Sequence, residues 1–382
     1  MIAVLAASFL FNLGQGVLRP AMPLYLQHVF VARYQMVTFI PVVFGAGKWV
    51  ANLPTGYLLD RLGRRPLMAC GLVVIACSDV GSVMAAQFAV FLGLRALAGV
   101  GWAMFATIAT TATVDAPAVR RRGRAVSLLM MSETSGLLLG SAGGGWLYQG
   151  VGMASPFVFE AACMAVAAVV VARAALPAPR SPAVAAPRRR DILGTVLRTP
   201  GVLLMGFTNA AIVAIQTGLL VFLFPLYLLN RAHMAPATVG LLVSLSVLGR
   251  LVALWLGGNI SDRSGRLHVL VPGLLAHAVL LGALTSLTHP VALGLWSLVS
   301  GAAAGFVAPL PTALIGDQVA PALHGVAIGW LRTMTDAGQI IGPLALGWLA
   351  DAGDLPAAFF AGAGLLVATA WGCRRHRAML PS

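Results

Sequence analysis

Charge is what this chain of 382 residues has least of: Asp, Glu, Lys and Arg make up only 9% of it, against roughly 25% in soluble domains. With 59% hydrophobic residues and a mean hydropathy of +0.91, such a chain would not stay dispersed in water, which excludes an ordinary soluble domain. Acids are scarcest, 11 against 25 basic residues, so the net charge is +14. That excess could suggest nucleic acid. Its placement argues otherwise, because the basic residues sit in short loops on alternate sides of apolar runs and no aromatic-basic surface for bases is visible; nucleic acid is not an expected partner. Lysine occurs once, at Lys48. Cysteine occurs four times, at Cys70, Cys77, Cys163 and Cys373. Their spacing fits neither a metal site nor a disulfide framework, and they read as small packing residues. A nucleophile elbow, a phosphate loop and a metal-ligand cluster are all missing. A charged leader is missing too, so the first apolar run reads as a retained span and not as a cleaved signal.

What is present is a series of apolar runs, each near the ~20 residues that a bilayer helix needs. The first six cover about 2–26, 36–57, 66–86, 88–113, 125–148 and 154–174. The second six cover about 201–228, 237–259, 267–287, 290–315, 325–349 and 356–373. The expected fold class is an all-α integral membrane protein of twelve transmembrane helices. The 43 glycines suit it, because small residues let membrane helices approach closely. Residues 175–199 are rich in Pro, Ala and Arg and read as a solvated linker. The expected domains are therefore a first bundle at 1–174, a cytoplasmic linker at 175–199 and a second bundle at 200–382. One set of alternate loops and the C-terminus hold eighteen Lys or Arg residues, while the opposite loops hold only Arg33 and Arg231. By the positive-inside rule, both termini face the cytoplasm of a multi-pass inner-membrane protein.

The chain also repeats itself. At a constant offset of 202 positions, Pro23-Leu24-Tyr25-Leu26 falls on Pro225-Leu226-Tyr227-Leu228 and Lys48 on Arg250. Asp60-Arg61 falls on Asp262-Arg263, Gly63-Arg64 on Gly265-Arg266, Asp115 on Asp317, Gly140 on Gly342 and Gly145-Trp146-Leu147 on Gly347-Trp348-Leu349. Two equivalent halves, each with its own copy of the same parts, are the mark of a transporter whose halves rock about a central site.

The loop after span 2 carries Gly56, Asp60, Arg61, Gly63, Arg64 and Arg65; its counterpart after span 8 carries Gly258, Asp262, Arg263, Gly265 and Arg266. The glycines permit a tight turn. The aspartates could sit at a helix N-terminus or pair with an arginine. The arginines could reach acidic helix ends, with Asp115 and Asp317 as candidate partners. On these residues the chain resembles the major facilitator superfamily, whose loop signature is G-x-x-x-D-R-x-G-R-R. Arg95, Gly99 and Gly101 in span 4 resemble that family's R-x-x-x-G-x-G element. Gly136, Gly140, Gly144 and Gly145 in span 5 are similar to its antiporter signature, except that Ser141 stands where the family has proline. The resemblance implies two pseudo-symmetric six-helix bundles that expose a central path to either side in turn. It implies a transporter rather than an enzyme, with no cofactor, and a monomer in the lipid bilayer. The expected function is transport of a small organic solute, with protons as the expected coupling ion and efflux as the direction that the span 4 and span 5 elements favour.

Five basic residues lie within spans: Arg19, Lys48, Arg95, Arg250 and Arg332. A charge at mid-bilayer costs about 2.5–3.5 kcal/mol on insertion scales, so each is a site candidate. Lys48 precedes Asp60 by twelve residues, as Arg250 precedes Asp262, which places both roughly 18 Å up their helices. They could bind an anionic solute, or they could pair with Asp336 and Glu133 as latches between the halves. Asn12, Gln15 and Arg19 share one face of span 1 and are expected either to line the path or to bond neighbouring helices; Asn209 and Gln216 are the span 7 equivalents. The acid candidates for proton transfer are Asp79, Glu133, Glu160 and Asp336, with Glu133 first. Asp336 could instead pair with Arg332 four residues earlier, and Asp79 or Glu160 could merely neutralise Arg19 or Arg95. His277 reads as a packed core histidine. The span 5 glycines could be plain helix packing. Uptake or exchange of an anion by Lys48 and Arg250 is the alternative function, and a receptor that kept the fold is a third.

Overall fold

The computed structural model describes residues 2–115, 122–174, 200–319 and 324–376. The linker at 175–199 lies outside the described residues. So do the side chains of Asp60, Arg61, Asp115, Asp262 and Arg263, whose backbone, like that of Gly56, is helical. In the first half the helices are α1 (Ile2–Phe30), α2 (Tyr34–Leu62), α3 (Arg64–Met84), α4 (Phe88–Asp115), α5 (Arg122–Gly150) and α6 (Ser155–Arg173). In the second half α7 (Pro200–Ile215) runs through a π-helical stretch, Gln216–Leu223, into α8 (Phe224–Asn230). There follow α9 (Pro236–Ser264), α10 (Arg266–Leu284), α11 (Pro290–Val307), α12 (Leu310–Gln318), α13 (His324–Gly353) and α14 (Leu355–Arg375). These make twelve rods among the described residues, because α7–α8 and α11–α12 are each one interrupted span. Prolines mark both interruptions: Pro225 follows the π turns and Pro309 stands in the α11–α12 break, and each lacks the N–H that a regular helix would use. Among the described residues, nine rods are long and apolar enough to cross a membrane. The other three, α2, α5 and α13, are as long but richer in glycine and polar residues.

Contacts divide the chain into two compact units. Unit 1 holds 1–32, 39–183 and 234–244; unit 2 holds 33–38, 184–233 and 245–382. In unit 1, α1 packs on α5 and α6, and α3 packs on α4 and α6. In unit 2, the pairs at the 202-residue offset recur: α7 on α13 and α14, and α10 on α11 and α14. The core of unit 1 is Phe11, Met68, Leu72, Ile75, Phe105, Ile108 and Met164, with Phe11 stacked on Phe105 at 4.7 Å.

Close backbone approach builds these pairs. A Cβ at Gly136, Gly140 or Gly144 of α5 would run into the carbonyls of Phe9, Leu13 and Val17 on α1. In unit 2, a Cβ at Gly338 of α13 would run into the Ala210 carbonyl of α7, and one at Gly342 into Cβ and Cα of Ala214. The pattern repeats between α2 and α4, where Gly47 abuts Ala96 and Gly99 abuts Phe44, and between α9 and α11, where Gly249 abuts Leu298 and Gly301 abuts Ser246. Each of these second contacts is its first displaced by 202.

The signature loops are shorter than expected. Asp60 and Arg61 lie in the last turn of α2, and Asp262 and Arg263 in the last turn of α9, so neither aspartate sits at a helix N-terminus. Each turn reduces to one glycine, Gly63 with φ 80° and Gly265 with φ 84°. Only glycine adopts this left-handed region without strain. The outer ends are matched as well. In unit 2, Asp351 accepts the N–H groups of Tyr34 at 2.9 Å and Gln35 at 3.0 Å. In unit 1, its equivalent Gln149 accepts the N–H of Ala237 at 3.2 Å. A side chain from another helix thus serves as the cap at the starts of α2 and α9, where N–H groups have no partner of their own.

Two outcomes follow for thermal unfolding in detergent. Gly63→Ala and Gly265→Ala should each destabilise by roughly 1–2 kcal/mol, whereas Gly143→Ala, whose Cβ would meet nothing within 4 Å, should stabilise by up to ~1 kcal/mol. Gly140→Val should lower the unfolding temperature more than either turn variant, because it forces α1 and α5 apart.

Candidate functional site

Among the described residues, a concentration of buried polar chemistry lies inside unit 1, where α1, α3, α4 and α6 meet. On α3, Ser78, Asp79 and Ser82 fall on one face, spaced i, i+1 and i+4, and all three are fully buried. Arg95 enters from α4. Its Nη2 donates to Asp79 Oδ1 at 2.7 Å, to Ser82 Oγ at 2.9 Å and to Ser78 Oγ at 3.3 Å. The rings of Phe91 and Phe157 each lie 5.6 Å from its guanidinium carbon, so the charge is held by one carboxylate and flanked by two aromatic faces. Ser82 Oγ in turn donates to the Ser78 carbonyl at 2.7 Å, and Ser78 Oγ donates to the Leu94 carbonyl.

Glu160 comes from α6 and is fully buried. Gln15 of α1 donates to its Oε1 at 2.6 Å. Gly14 makes this contact possible, since a Cβ there would stand 3.0 Å from Glu160 Cγ and 3.2 Å from its Cα. The carboxyls of Asp79 and Glu160 lie within hydrogen-bonding reach of each other. Four helices are therefore joined through a run of side chains, from Gln15 to Glu160, Asp79 and Arg95. Removing one partner of a buried ion pair of this kind typically costs 3–5 kcal/mol.

Of the span 1 face, Gln15 turns to Glu160, Asn12 donates to the Ser8 carbonyl of its own helix at 2.9 Å, and Arg19 is half-buried. Asp79 is the acid that neutralises Arg95. Asn209 donates to Thr335 Oγ1 at 2.7 Å, which bonds α7 to α13, and Gln216 opens the π-helical stretch. Lys48 is half-buried with its ammonium 4.3 Å from the centre of the Trp102 ring; Arg250, Glu133 and Asp336 are half-buried too. The expected pair of Arg332 with Asp336 is not among the ion pairs of the described residues, and Arg332 is exposed. An arginine placed N-terminal to its acid is the weaker i, i+4 orientation. At the signature loops, Arg64 is buried and Arg65 exposed, and Arg266 meets the candidate partner Asp317 at 2.8 Å. His277 is buried in α10. Among the described residues, no group of three or more His, Cys, Asp or Glu side chains could hold a metal.

Ser78 and Ser82 had not been singled out from sequence, although their spacing around Asp79 in an apolar span is the signal that could have found them. The joining of Gln15 to Glu160 across 145 residues has no local signature at all.

Comparison with known proteins agrees with the architecture. The Major Facilitator Superfamily matches residues 4–235 and 206–376 of the chain. The chain is 24% identical over 350 residues to the multidrug resistance protein MdtG of Klebsiella pneumoniae, covering 88% of this chain and 83% of that one. It is 27% identical over 286 residues to the MFS-type transporter YcaD of Escherichia fergusonii, covering 75% and 72%. Among solved structures it resembles the nucleoside transporter NupG, with a TM-score of 0.76 at 15% identity over 99% of this chain and 98% of that one. It also resembles a D-xylose-proton symporter, with a TM-score of 0.75 at 18% identity over 97% and 95%. These structural likenesses speak for the fold, and the sequence match across nearly all of the chain speaks for descent: the chain belongs to the major facilitator superfamily of membrane transporters.

Proposed function

We propose that the protein is a secondary active transporter that exports a small organic solute across the cytoplasmic membrane in exchange for protons, by alternating access. The observation that carries this reading is the bond from Gln15 to Glu160. Gln15 shares its helical face with Asn12 and Arg19, where a solute would be bound, and it touches a fully buried acid. A solute at that face and a proton on the acid would then compete through one side chain, as exchange requires. The name of the Klebsiella relative, a multidrug resistance protein, supports efflux. The basic loops support cytoplasmic termini, and a monomer suffices because each chain carries both repeats.

A second reading has its own support. Lys48 and Arg250 are set in place by equivalent contacts, Gly47 on Ala96 and Gly249 on Leu298, so each half offers one cation at a matching position. This favours uptake or exchange of an anionic solute. The same two residues could serve as latches with Asp336 and Glu133.

Proteoliposomes under an imposed pH gradient decide between these readings, with ethidium as the cationic probe and benzoate as the anionic one. Export coupled to protons predicts that ethidium discharges the gradient only where the protein is present; a gradient untouched by ethidium counts against it. The anion reading predicts that Lys48→Gln and Arg250→Gln abolish benzoate binding in a thermal-shift titration, whereas latch residues would leave binding in place and slow turnover.

A further inference from the structure

Asp79 and Glu160 have four carboxyl oxygens between them, and Arg95 bonds only one of these, Asp79 Oδ1. Asp79 Oδ1 is taken by Arg95 and Glu160 Oε1 by Gln15. Asp79 Oδ2 and Glu160 Oε2 are buried and accept no hydrogen bond from another protein group, while the two carboxyls lie within reach of each other. Two ionised carboxylates cannot bond, because both only accept; one proton turns one of them into a donor. The charge count points the same way. With both acids ionised, the cluster of these two carboxylates and Arg95 would bury a net negative charge, and an uncompensated buried charge is among the most costly features a protein can hold. Arg95 is the cation bonded to Asp79, at 2.7 Å. The other groups around the pair are Gln15 from α1, Ser78 and Ser82 from α3, and Cys163 from α6. Tyr25 of α1 packs on Phe157 behind Arg95, with ring centres 4.8 Å apart. None of these supplies a second positive charge.

We propose that Asp79 and Glu160 hold one shared proton and form the proton-binding site of this protein, in place of the half-buried Glu133. The coupling role rests on the export reading above; the shared proton itself does not. On release, the O–H bond between the carboxyls breaks, the proton passes to water and no electron moves. The second carboxylate then needs a cationic donor, and Arg95 has one to give, since its Nε is buried and unbonded. Drawing Glu160 toward Arg95 breaks the bond from Gln15 and frees that amide on the solute-binding face of α1. Gln15 is thus a positioning residue that reports the state of the proton.

Infrared difference spectroscopy of the full-length protein in lipid tests this without any solute. Wild type should show a protonated-carboxyl absorbance at neutral pH that shifts in heavy water. Glu160→Gln and Asp79→Asn should each abolish it, because the remaining acid and Arg95 then balance without a proton, and Glu133→Gln should retain it. Gln15→Leu alters no charge and stands in should an acid variant not fold; it should move the pH at which the absorbance is lost by about one unit. An absorbance that persists in both acid variants, that is missing from wild type, or that Glu133→Gln removes overturns the proposal, as does an unmoved profile in Gln15→Leu. A shared-proton band that obeys these variants in a protein that ethidium cannot discharge leaves the site standing and sinks the export reading. Discharge by ethidium that is equal in wild type, Glu160→Gln and Asp79→Asn sinks the site and spares the export reading.

Discussion

Backbone-to-backbone approach of helices at glycine is the constraint on which this molecule depends. In hydrocarbon, lipid tails are as apolar as leucine, so burial alone gives helices little reason to associate. Contact must come from close surfaces. Gly136, Gly140 and Gly144 give α5 a flat face onto α1. Gly14 then brings α1 against Glu160 of α6. Gly71 and Gly101 close α3 on α4, which puts Asp79 and Arg95 in reach of each other. Without those approaches the charged groups would stand in lipid unpaired, at a cost of several kcal/mol each.

The buried cluster shows what such packing makes affordable. An arginine, two acids, two serines and a glutamine occupy space where the rest of unit 1 places Met68, Leu72, Phe105 and Met164. Hydrophobic residues of the same volume would often be as stable or more so. A polar cluster retained in such a place is therefore a functional candidate rather than a device for stability. In unit 2 the position equivalent to Arg95 is Ser297, and that equivalent to Asp79 is Leu281, so the chemistry was built in one half only, on a scaffold that both halves share.

Parts of this were legible in the residues alone. Gly63 and Gly265 stand at matching places in the two signature loops, and the backbone there adopts the same left-handed turn twice. The span 5 glycines could be read as helix packing, and that is how they are used against α1. The reach of the arginines toward acidic helix ends was also visible, and Arg266 meets Asp317. Other pairings were ambiguous because local spacing competes with distant partners. Arg332 and Asp336 are four residues apart and yet are not among the ion pairs of the described residues, since an exposed arginine gains little from a nearby acid. Among the acids in apolar runs Glu133 ranked before Asp79 and Glu160, because one-dimensional order does not say which helix face turns inward.

Composition and the 202-residue repeat by themselves determined that this is a twelve-span membrane protein of duplicated design, because a bilayer dictates helix length and a duplication preserves the positions where only glycine fits. Only the tertiary structure decided which charges are buried together. Helices α1, α3, α4 and α6 carry their polar residues at unrelated places in the chain, and a charge in low dielectric is governed by the partners within a few ångströms of it, wherever in the sequence they come from.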